Sequence, residues 1–294
     1  MPFSRLVPYI KQEHPALQVE TKGGDKINTL PSKKLSLAVN VDQIKEKQIV
    51  PDTILPFLSS KLNINVAKNA IHKSDLMILD LIASNNWVRP IYFTYTALNS
   101  MSIDISHMVV QEGYTYRLLP IQLPDHLKHT ANSEAMFANM MSTYQWRGTK
   151  NKKVYYSSYH KNQMIHTRSD FNQLPTTLLE EGNLKKAKEA LERSLEVIPD
   201  DTTPYDVASI NTARIFVEIG EKEIGLGIAR TMVKRVDKEL NYYTTHQKNE
   251  SEKIRQNYMI LNMLSQTIRE AGDLDEANKT EILLRKYYDR ISEI

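Results

Sequence analysis

The sequence predicts an α+β first half with a small mixed sheet, followed by an all-α second half built from repeated pairs of helices. Two observations carry this fold class. Stretches before residue 125 alternate apolar and polar residues with the period of a half-buried strand. After residue 168 one local motif recurs three times within segments that have the period of amphipathic helices.

The first predicted strand is KLSLAVNV at residues 34–41, whose leucines and valines fall on one face at every second position. A helix is then predicted from Ser74, which suits an N-cap position. It is expected to end at the asparagine pair 85–86, because asparagine tolerates the left-handed conformation at a helix end.

The stretch NNWVRPIYFTYT at residues 86–97 leads from this helix into a second predicted strand. Pro90 disfavours helical geometry at Arg89, so the chain is expected to extend there. The residue types of 91–98 then favour a strand. Trp87 is expected to cover the junction between helix and sheet as a large apolar plug.

A third strand is predicted at residues 114–121, YTYRLLPI, which follow a glycine. A helix is predicted at residues 132–146, with an asparagine and a serine available as its cap. Strands and helices that are mixed in this way make the first half α+β.

The second half repeats one local pattern. In each of three segments a glycine is followed five positions later by a small residue: Gly182 and Ala187, Gly220 and Gly225, and Gly272 and Ala277. The glycine is expected to end the first helix of a pair, and the small residue to let the second helix approach closely. This pattern resembles tetratricopeptide repeats, which are pairs of antiparallel helices stacked into a solenoid.

The first unit matches the tetratricopeptide motif best. Four of its residues fall on the glycine, alanine, small-residue and proline positions of the motif: Gly182, Ala187, Ser194 and Pro199. The glycines are 38 and then 52 residues apart, whereas tetratricopeptide units repeat every ~34 residues. Longer helices or inserted loops are therefore expected in the later units.

These assignments give an α+β domain at residues 1–150, a linker at 151–167 and tetratricopeptide-like helical repeats at 168–294. Residues 1–167 hold 19 Lys and Arg against 12 Asp and Glu, a net charge of +7, and residues 168–294 hold 19 against 23, a net charge of −4. The basic half could attract the acidic half or face an anionic surface. No nucleic-acid partner is expected, because the only dense basic run of the first half is KNKK at residues 150–153, and a run this short is typical of a solvated loop.

Composition and motifs exclude several function classes. The chain has no cysteine, so it has no disulfide and no thiol nucleophile. No apolar run reaches the ~20 residues of a membrane helix, and the N-terminus lacks the features of a signal peptide. Phosphate-loop, dinucleotide and hydrolase motifs are absent. His126 and His129 lack an obvious third ligand, so no catalytic residue, metal or cofactor is predicted.

Two groups of polar residues are candidate binding sites. In tetratricopeptide folds the first helix of each pair lines the concave surface, and the motif's register places six residues there: Asn172, Arg214, Glu218, Asn262, Gln266 and Arg269. Amides and arginines on such a surface suit extended backbone and carboxylates, although a merely solvated stripe is the alternative.

The second group lies on the predicted strands, where tyrosines flank arginines: Arg89, Tyr92, Tyr116 and Arg117. Stacked arginine and tyrosine suit a sugar, a phosphate or a carboxylate. The simpler interpretation is an arginine paired to a carboxylate at the end of the sheet.

Several strings together resemble a known protein family: LPSKKLSLAVN at residues 30–40, SDLMILDLIASNNWVRPIYF at 74–93, QEGYTYRLLPI at 111–121 and the repeats from residue 168. They resemble the C-terminal soluble region of bacterial multi-pass membrane proteins of unknown function that are similar to GT-C glycosyltransferases, specifically protein O-mannosyltransferases. The resemblance implies an extracytoplasmic (periplasmic) domain tethered to the membrane. It also implies that the catalytic acid and the lipid-linked sugar site belong to a membrane-embedded part outside this chain.

Three functions are compatible with these observations. The first is a noncatalytic accessory domain of a membrane glycosyltransferase for protein O-glycosylation, which holds acceptor protein or glycan and has the membrane-embedded part of the same or a neighbouring protein as partner. The second is a free-standing tetratricopeptide adaptor, periplasmic or cytoplasmic, that scaffolds a protein complex. The third is a soluble enzyme with a site near Arg89, Glu112 and Arg117.

Overall fold

The computed structural model describes residues 2–12, 14–128, 130–246 and 249–292, with only the backbone of Lys11. The chain divides into two compact units, Met1–Met136 and Phe137–Ile294. The first holds short antiparallel strands and short helices, and the second is helical, which confirms the predicted fold class. In the described part of the chain no helix is long and apolar enough to cross a membrane.

The first unit combines short helices with three small sheets. Its helices are α1 (Phe3–Lys11), α2 (Val41–Glu46), α3 (Lys73–Asn85) and α4 (Tyr95–Ser100), and α5 (Ser133–Ala138) lies at its end. Its strands are β1 (Gln18–Glu20), β2 (Lys26–Asn28), β3 (Lys34–Ala38), β4 (Lys61–Val66), β5 (Tyr92–Phe93), β6 (Ile103–Asp104), β7 (Val109–Gln111) and β8 (Tyr116–Leu118). They pair antiparallel in the orders β1–β2, β3–β4–β6 and β5–β8–β7, where the prediction had one small mixed sheet.

The sheet β3–β4–β6 follows from period-two alternation. β3 and β4 are in register from Lys34 opposite Asn65 to Ala38 opposite Lys61. In β4 every second residue of KLNINV is buried, and this alternation is the signal for a strand that the sequence-based assignment missed. β3 ends three residues earlier than predicted, because the side chain of Asn40 accepts a hydrogen bond from the Gln43 amide and caps α2.

Helix α3 ends at the predicted asparagine pair. Asn86 and Trp87 both have left-handed backbone, with φ of 47° and 60°. Trp87 is half-buried and packs against both clusters of buried apolar residues in this unit, in agreement with its expected place at the junction. Two consecutive non-glycine residues with left-handed backbone raise the conformational free energy of the folded chain, so the surrounding packing must hold this turn.

Helix α3 begins at Lys73, and its N-cap, His72, lies two residues before the predicted cap Ser74. The buried carboxylate of Asp75 accepts hydrogen bonds from the His72 amide at 2.9 Å and from the Ser102 amide at 3.0 Å. Burial by itself raises the pKa of Asp75, but these two amides, together with the nearby Ser102 and His72 side chains, hold the pKa below its usual 3.8. The carboxylate thus ties the helix start to the chain that leads into β6.

The strand predicted at residues 91–98 is wrong over most of its length. Only Tyr92–Phe93 pair as β5, and the chain turns into α4 at Tyr95. Thr94 is the N-cap of α4, and its hydroxyl accepts a hydrogen bond from the Ala97 amide at 3.3 Å. A threonine hydroxyl can bond to a nearby backbone amide and so start a helix where the backbone could otherwise pair with another strand. The strand preference of the residue types does not show which of these hydrogen bonds forms.

Two further elements are shorter than predicted. The strand expected at residues 114–121 pairs only over Tyr116–Leu118. The helix expected at residues 132–146 is α5 followed by a π-helical turn at Asn139–Thr143, after which the backbone becomes extended at Tyr144.

The described residues of the second unit form three helical hairpins from Ser158 onward. Its helices are α6 (Ser158–Glu180), α7 (Leu184–Val197), α8 (Val207–Glu218), α9 (Lys222–His246), α10 (Ser251–Glu270) and α11 (Leu274–Ser292). α6 packs on α7, α8 on α9, and α10 on α11. α8 also contacts α6 and α10, so the first helices of the hairpins form one layer.

The three repeated glycines end the first helix of each hairpin, as predicted. Gly182, Gly220 and Gly272 have φ of 77°, 91° and 89°, which side chains disfavour. In each turn the glycine amide and the next amide bond back to carbonyls of the last helical turn, as from Gly182 to Leu179 and from Asn183 to Leu178. This is the Schellman arrangement, and it satisfies carbonyls that would otherwise lack partners.

The three small residues lie at close helix contacts. Ala187 and Ala277 are fully buried. A Cβ on Gly225 would lie 2.6 Å from the carbonyl oxygen of Ala213 and 2.9 Å from Cγ2 of Val217, so α9 touches α8 at this glycine. The spacing of five residues after each glycine therefore identified the packed face of each second helix.

The segment predicted as a linker, 151–167, contains the start of α6 at Ser158. The residues just before this segment, which belong to the second unit, contact its later residues: the Thr202 hydroxyl donates to the Thr149 carbonyl at 2.7 Å, and Lys150 pairs with Glu196. The division into domains at 1–150 and 168–294 stays a prediction.

Candidate functional site

The predicted concave residues of α8 and α10 include a partly open polar group. The α8–α10 face is defined here by Arg214, Glu218, Asn262, Gln266 and Arg269. Of these, Arg214 is half-buried and the other four are exposed. On each helix these residues are three or four positions apart, so their side chains lie on one face, which is open to solvent. The opposite face of α10 is buried and includes Leu261, Leu264 and Ile268.

Arg214 joins the two helices of this face. Its Nε donates to the Thr267 hydroxyl at 3.2 Å and lies 4.0 Å from a carboxylate oxygen of Glu270. Glu270 also accepts a hydrogen bond from Gln266 at 3.0 Å. The side chain of Arg214, which belongs to α8, is therefore held against α10, and about a third of it is open to solvent.

Arg269 points to the other neighbour of α10. Its guanidinium pairs with Glu281 of α11, and half of the side chain remains exposed. Asn262 and Met259 are exposed about two and three turns earlier on the same helix. The α8–α10 face thus has two arginines beside one polar stripe, and each arginine is already paired with a glutamate. A carboxylate of a ligand could replace either glutamate as the partner of its arginine.

Asn172, the sixth predicted residue, is not on the open surface. It is 7% exposed, its amide nitrogen donates to the Ala208 carbonyl at 2.8 Å, and its oxygen accepts from the Thr212 hydroxyl at 2.8 Å. A buried amide with both ends bonded joins α6 to α8 and is not available to a ligand.

The second predicted group is brought together around a buried carboxylate. β5 and β8 pair Tyr92 opposite Arg117, beside Glu112, which is 5% exposed. Glu112 accepts hydrogen bonds from the Tyr92 hydroxyl at 3.0 Å and the Asn132 amide at 3.0 Å, and lies 3.5 Å from the Arg117 guanidinium. The arrangement agrees with the simpler interpretation, an arginine paired to a carboxylate at the end of the sheet.

Arg89 and Tyr116 stand apart from that carboxylate. Arg89 is exposed, and its backbone amide and carbonyl bond to the side chain of Asn85. Tyr116 is buried in the core, and its ring centroid lies 6.4 Å from that of Tyr95. The polar cluster therefore consists of Tyr92, Glu112, Arg117 and Asn132, and all the contacts named are internal to the fold.

Sequence reasoning missed Arg168, which is 1% exposed. Its guanidinium donates to the carbonyls of Thr203 at 2.9 Å, Pro204 at 3.2 Å and Ile198 at 3.3 Å, and pairs with Asp206. It lies over the ring of Tyr205 at 5.7 Å. The signal was its spacing of three residues from Phe171 on the buried stripe of α6, where an arginine needs partners.

A second arginine holds the same connection between α7 and α8. Arg235 of α9 donates to Asp200 at 2.6 Å, and Asp200 also accepts from the Tyr205 amide at 2.8 Å. Burial raises the pKa of Asp200, but the bonds from Arg235 and Tyr205 hold it below 3.8. Residues 198–206 are thus fixed by charged groups from two helices.

Among the residues that the structure describes, no group of three or more His, Asp or Glu side chains is placed to hold a metal ion. His126 is exposed, and His129 lies outside the described residues. The Nδ1–H of His107 donates a hydrogen bond to the Leu123 carbonyl at 2.6 Å, and Nε2 of the same ring lies 3.8 Å from a carboxylate oxygen of Asp125. This pair is a surface contact near a 3₁₀ turn.

Comparison with known proteins connects the first unit to one family model. Residues 1–136 match the model described as TMEM260-associated domain 2, so this unit is similar to a domain associated with a membrane-protein family. The matched region ends where the first compact unit ends. Neither the comparison with curated proteins nor the comparison with solved structures gives a match.

Proposed function

We propose that the chain is a noncatalytic accessory module of a membrane glycosyltransferase that acts in protein O-glycosylation. The observation that carries the proposal is the match of residues 1–136 to the TMEM260-associated domain. It is supported by the resemblance of the first-half strings to the soluble region of membrane proteins similar to GT-C glycosyltransferases. On this proposal the partner is the membrane-embedded part of the same or a neighbouring protein, on the extracytoplasmic side.

The second unit is proposed to hold the acceptor. Its three hairpins support a tetratricopeptide-like solenoid in which the first helices line the binding surface. The α8–α10 face offers the arginines and amides suited to an extended acceptor polypeptide with carboxylate groups. The cluster around Glu112 has no part in the proposal, since its named contacts are all within the fold.

Selection from a phage library of random twelve-residue peptides against the whole chain tests the acceptor role. Each enriched peptide is then measured against an Arg214→Gln/Arg269→Gln variant. Glutamine avoids the repulsion that a charge reversal would create beside Glu270 and Glu281. We expect enriched peptides that contain a carboxylate and bind the variant at least about tenfold more weakly, because charge-assisted hydrogen bonds are lost.

The matched control is Lys234→Gln/Lys238→Gln, which removes the same charge from exposed positions of α9. It should bind the peptides as the parent does, and both variants should keep the parent's melting temperature within a few degrees. Peptides that bind the arginine variant as tightly as the parent would exclude the α8–α10 face as the acceptor site.

A further inference from the structure

The segment before and at the start of α6 concentrates positive charge without acidic residues. The Lys-Tyr segment, residues 147–161, reads RGTKNKKVYYSSYHK and contains five Lys and Arg and three tyrosines. No Asp or Glu occurs from residue 147 to residue 169. Such a run attracts anions unless carboxylates from other elements neutralise it.

Only part of this charge is neutralised by the neighbouring helices. Lys150 pairs with Glu196, and Lys152 pairs with Asp201 at 2.5 Å. Among the described contacts no carboxylate pairs with the side chains of Arg147, Lys153 or Lys161. The Lys-Tyr segment therefore keeps a surplus of about three positive charges at its surface.

The segment also forms a concave site of about 330 Å³. Asp201, the partner of Lys152, and Thr202 also line it, but lysines and tyrosines predominate: Lys152, Lys153, Lys161, Tyr155 and Tyr156. The N-terminus of the 23-residue helix α6 is adjacent, since Ser158 is its first residue and Ser157 makes no cap bond to its amides. The positive end of the helix adds to the attraction of the lysines for an anion.

Large side chains around this site are directed to solvent. Tyr155 is 87% exposed, Tyr159 is 68% exposed and Val154 is 40% exposed. A small free anion would contact the lysines, and the exposed aromatic rings would contribute nothing to its binding. Tyrosine beside lysine is typical of surfaces that rest at the boundary between lipid headgroups and acyl chains.

We propose that the Lys-Tyr segment binds the surface of a bilayer that contains anionic lipids. Lys153 and Lys161 pair with headgroup phosphates in and beside the concave site, and Tyr155 and Tyr159 enter the interfacial layer. This contact is independent of the acceptor role of the α8–α10 face. It gives the helical unit its own attachment to the membrane surface.

Co-sedimentation of the whole chain with vesicles tests the proposal. Vesicles of phosphatidylcholine alone are compared with vesicles that contain phosphatidylglycerol at about one third, at low and at high salt. We expect binding to the anionic vesicles only, weakened by salt. A Lys153→Glu/Lys161→Glu variant should bind at least about tenfold more weakly, because each basic residue near an anionic surface contributes substantially. A Tyr155→Ser/Tyr159→Ser variant should also bind more weakly, at unchanged net charge.

The matched control is Lys185→Glu/Lys238→Glu, the same charge reversal at exposed positions of α7 and α9, which should retain most of the binding. Equal binding to neutral and anionic vesicles, or equal losses in the two lysine variants, would overturn the proposal. Full competition by millimolar inorganic phosphate would also overturn it, since the site would then be one for a free anion. The same holds if single-stranded RNA binds and displaces the vesicles.

Discussion

At the scale of single residues, buried charged and polar groups hold the helical unit together. Arg168 and Asn172 both lie on α6 and both bond to the chain around the start of α8. Asn172 was expected on an open surface, and its burial has a simple cause: the carbonyl of Ala208 and the hydroxyl of Thr212 need its amide. A polar residue at a position that the repeat motif assigns to the binding surface can thus instead join two helices within the fold.

Replacement of Arg168 by methionine should destabilise the second unit strongly. Methionine fills the volume but leaves Asp206 without its partner and three carbonyls without a donor. We expect a loss of about 3–5 kcal/mol in the free energy of unfolding, measured in urea. Arg255→Met, at an exposed position of α10, is the control and should change it by less than about 0.5 kcal/mol. Similar values for the two variants would mean that the buried cluster contributes little.

At the scale of the secondary-structure elements, the hairpins depend on where glycine stands in a helix. Gly225 and Gly227 both lie within α9, two residues apart. Gly225 touches the backbone of α8, whereas a Cβ on Gly227 would meet no atom within 4 Å. The same substitution should therefore have opposite effects at the two positions.

Gly225→Ala should lower the stability of the second unit by about 1–3 kcal/mol, because the new methyl group overlaps the Ala213 carbonyl and forces the helices apart. Gly227→Ala should raise it by about 0.5–1 kcal/mol, because alanine restricts the unfolded chain and favours the helix. Thermal unfolding followed by circular dichroism measures both. Two changes of the same sign would contradict the assigned contact between α8 and α9.

Sequence reasoning was most successful for elements whose signals are local. The helix ends at Asn86 and at the three glycines depend on backbone conformations that few residues adopt, so the residue type alone indicates them. The strand expected after Pro90 failed because tertiary contacts decide between a ladder and a Thr94 cap. For the candidate sites, the pairing of Arg117 with Glu112 depends on how β5, β7 and β8 align, which no local pattern encodes.

At the scale of the whole molecule, each unit has its own buried apolar core. The core of the first unit draws on residues between Phe3 and Leu123, and the main core of the second on residues between Leu191 and Tyr287. Each unit thus has the buried core that a separately folding domain requires.

Residues 137–294 should therefore fold when produced alone. We expect a strongly helical circular dichroism spectrum and a cooperative thermal transition. Residues 1–136, produced separately, are the companion sample. A non-cooperative or absent transition in the 137–294 fragment would show that its core needs the first unit.

The three hairpins have a consequence for the kinetics of folding. Within each hairpin of the second unit the two helices pack on each other across a turn of a few residues, so little loop entropy is lost before the first contacts form. In the first unit β4 must find β6 about forty residues further along the chain. Rates fall as contacts become less local, so the helical unit is expected to fold faster than the unit that precedes it. When both units refold together after dilution from denaturant, the helical unit should become compact while the first unit is still open.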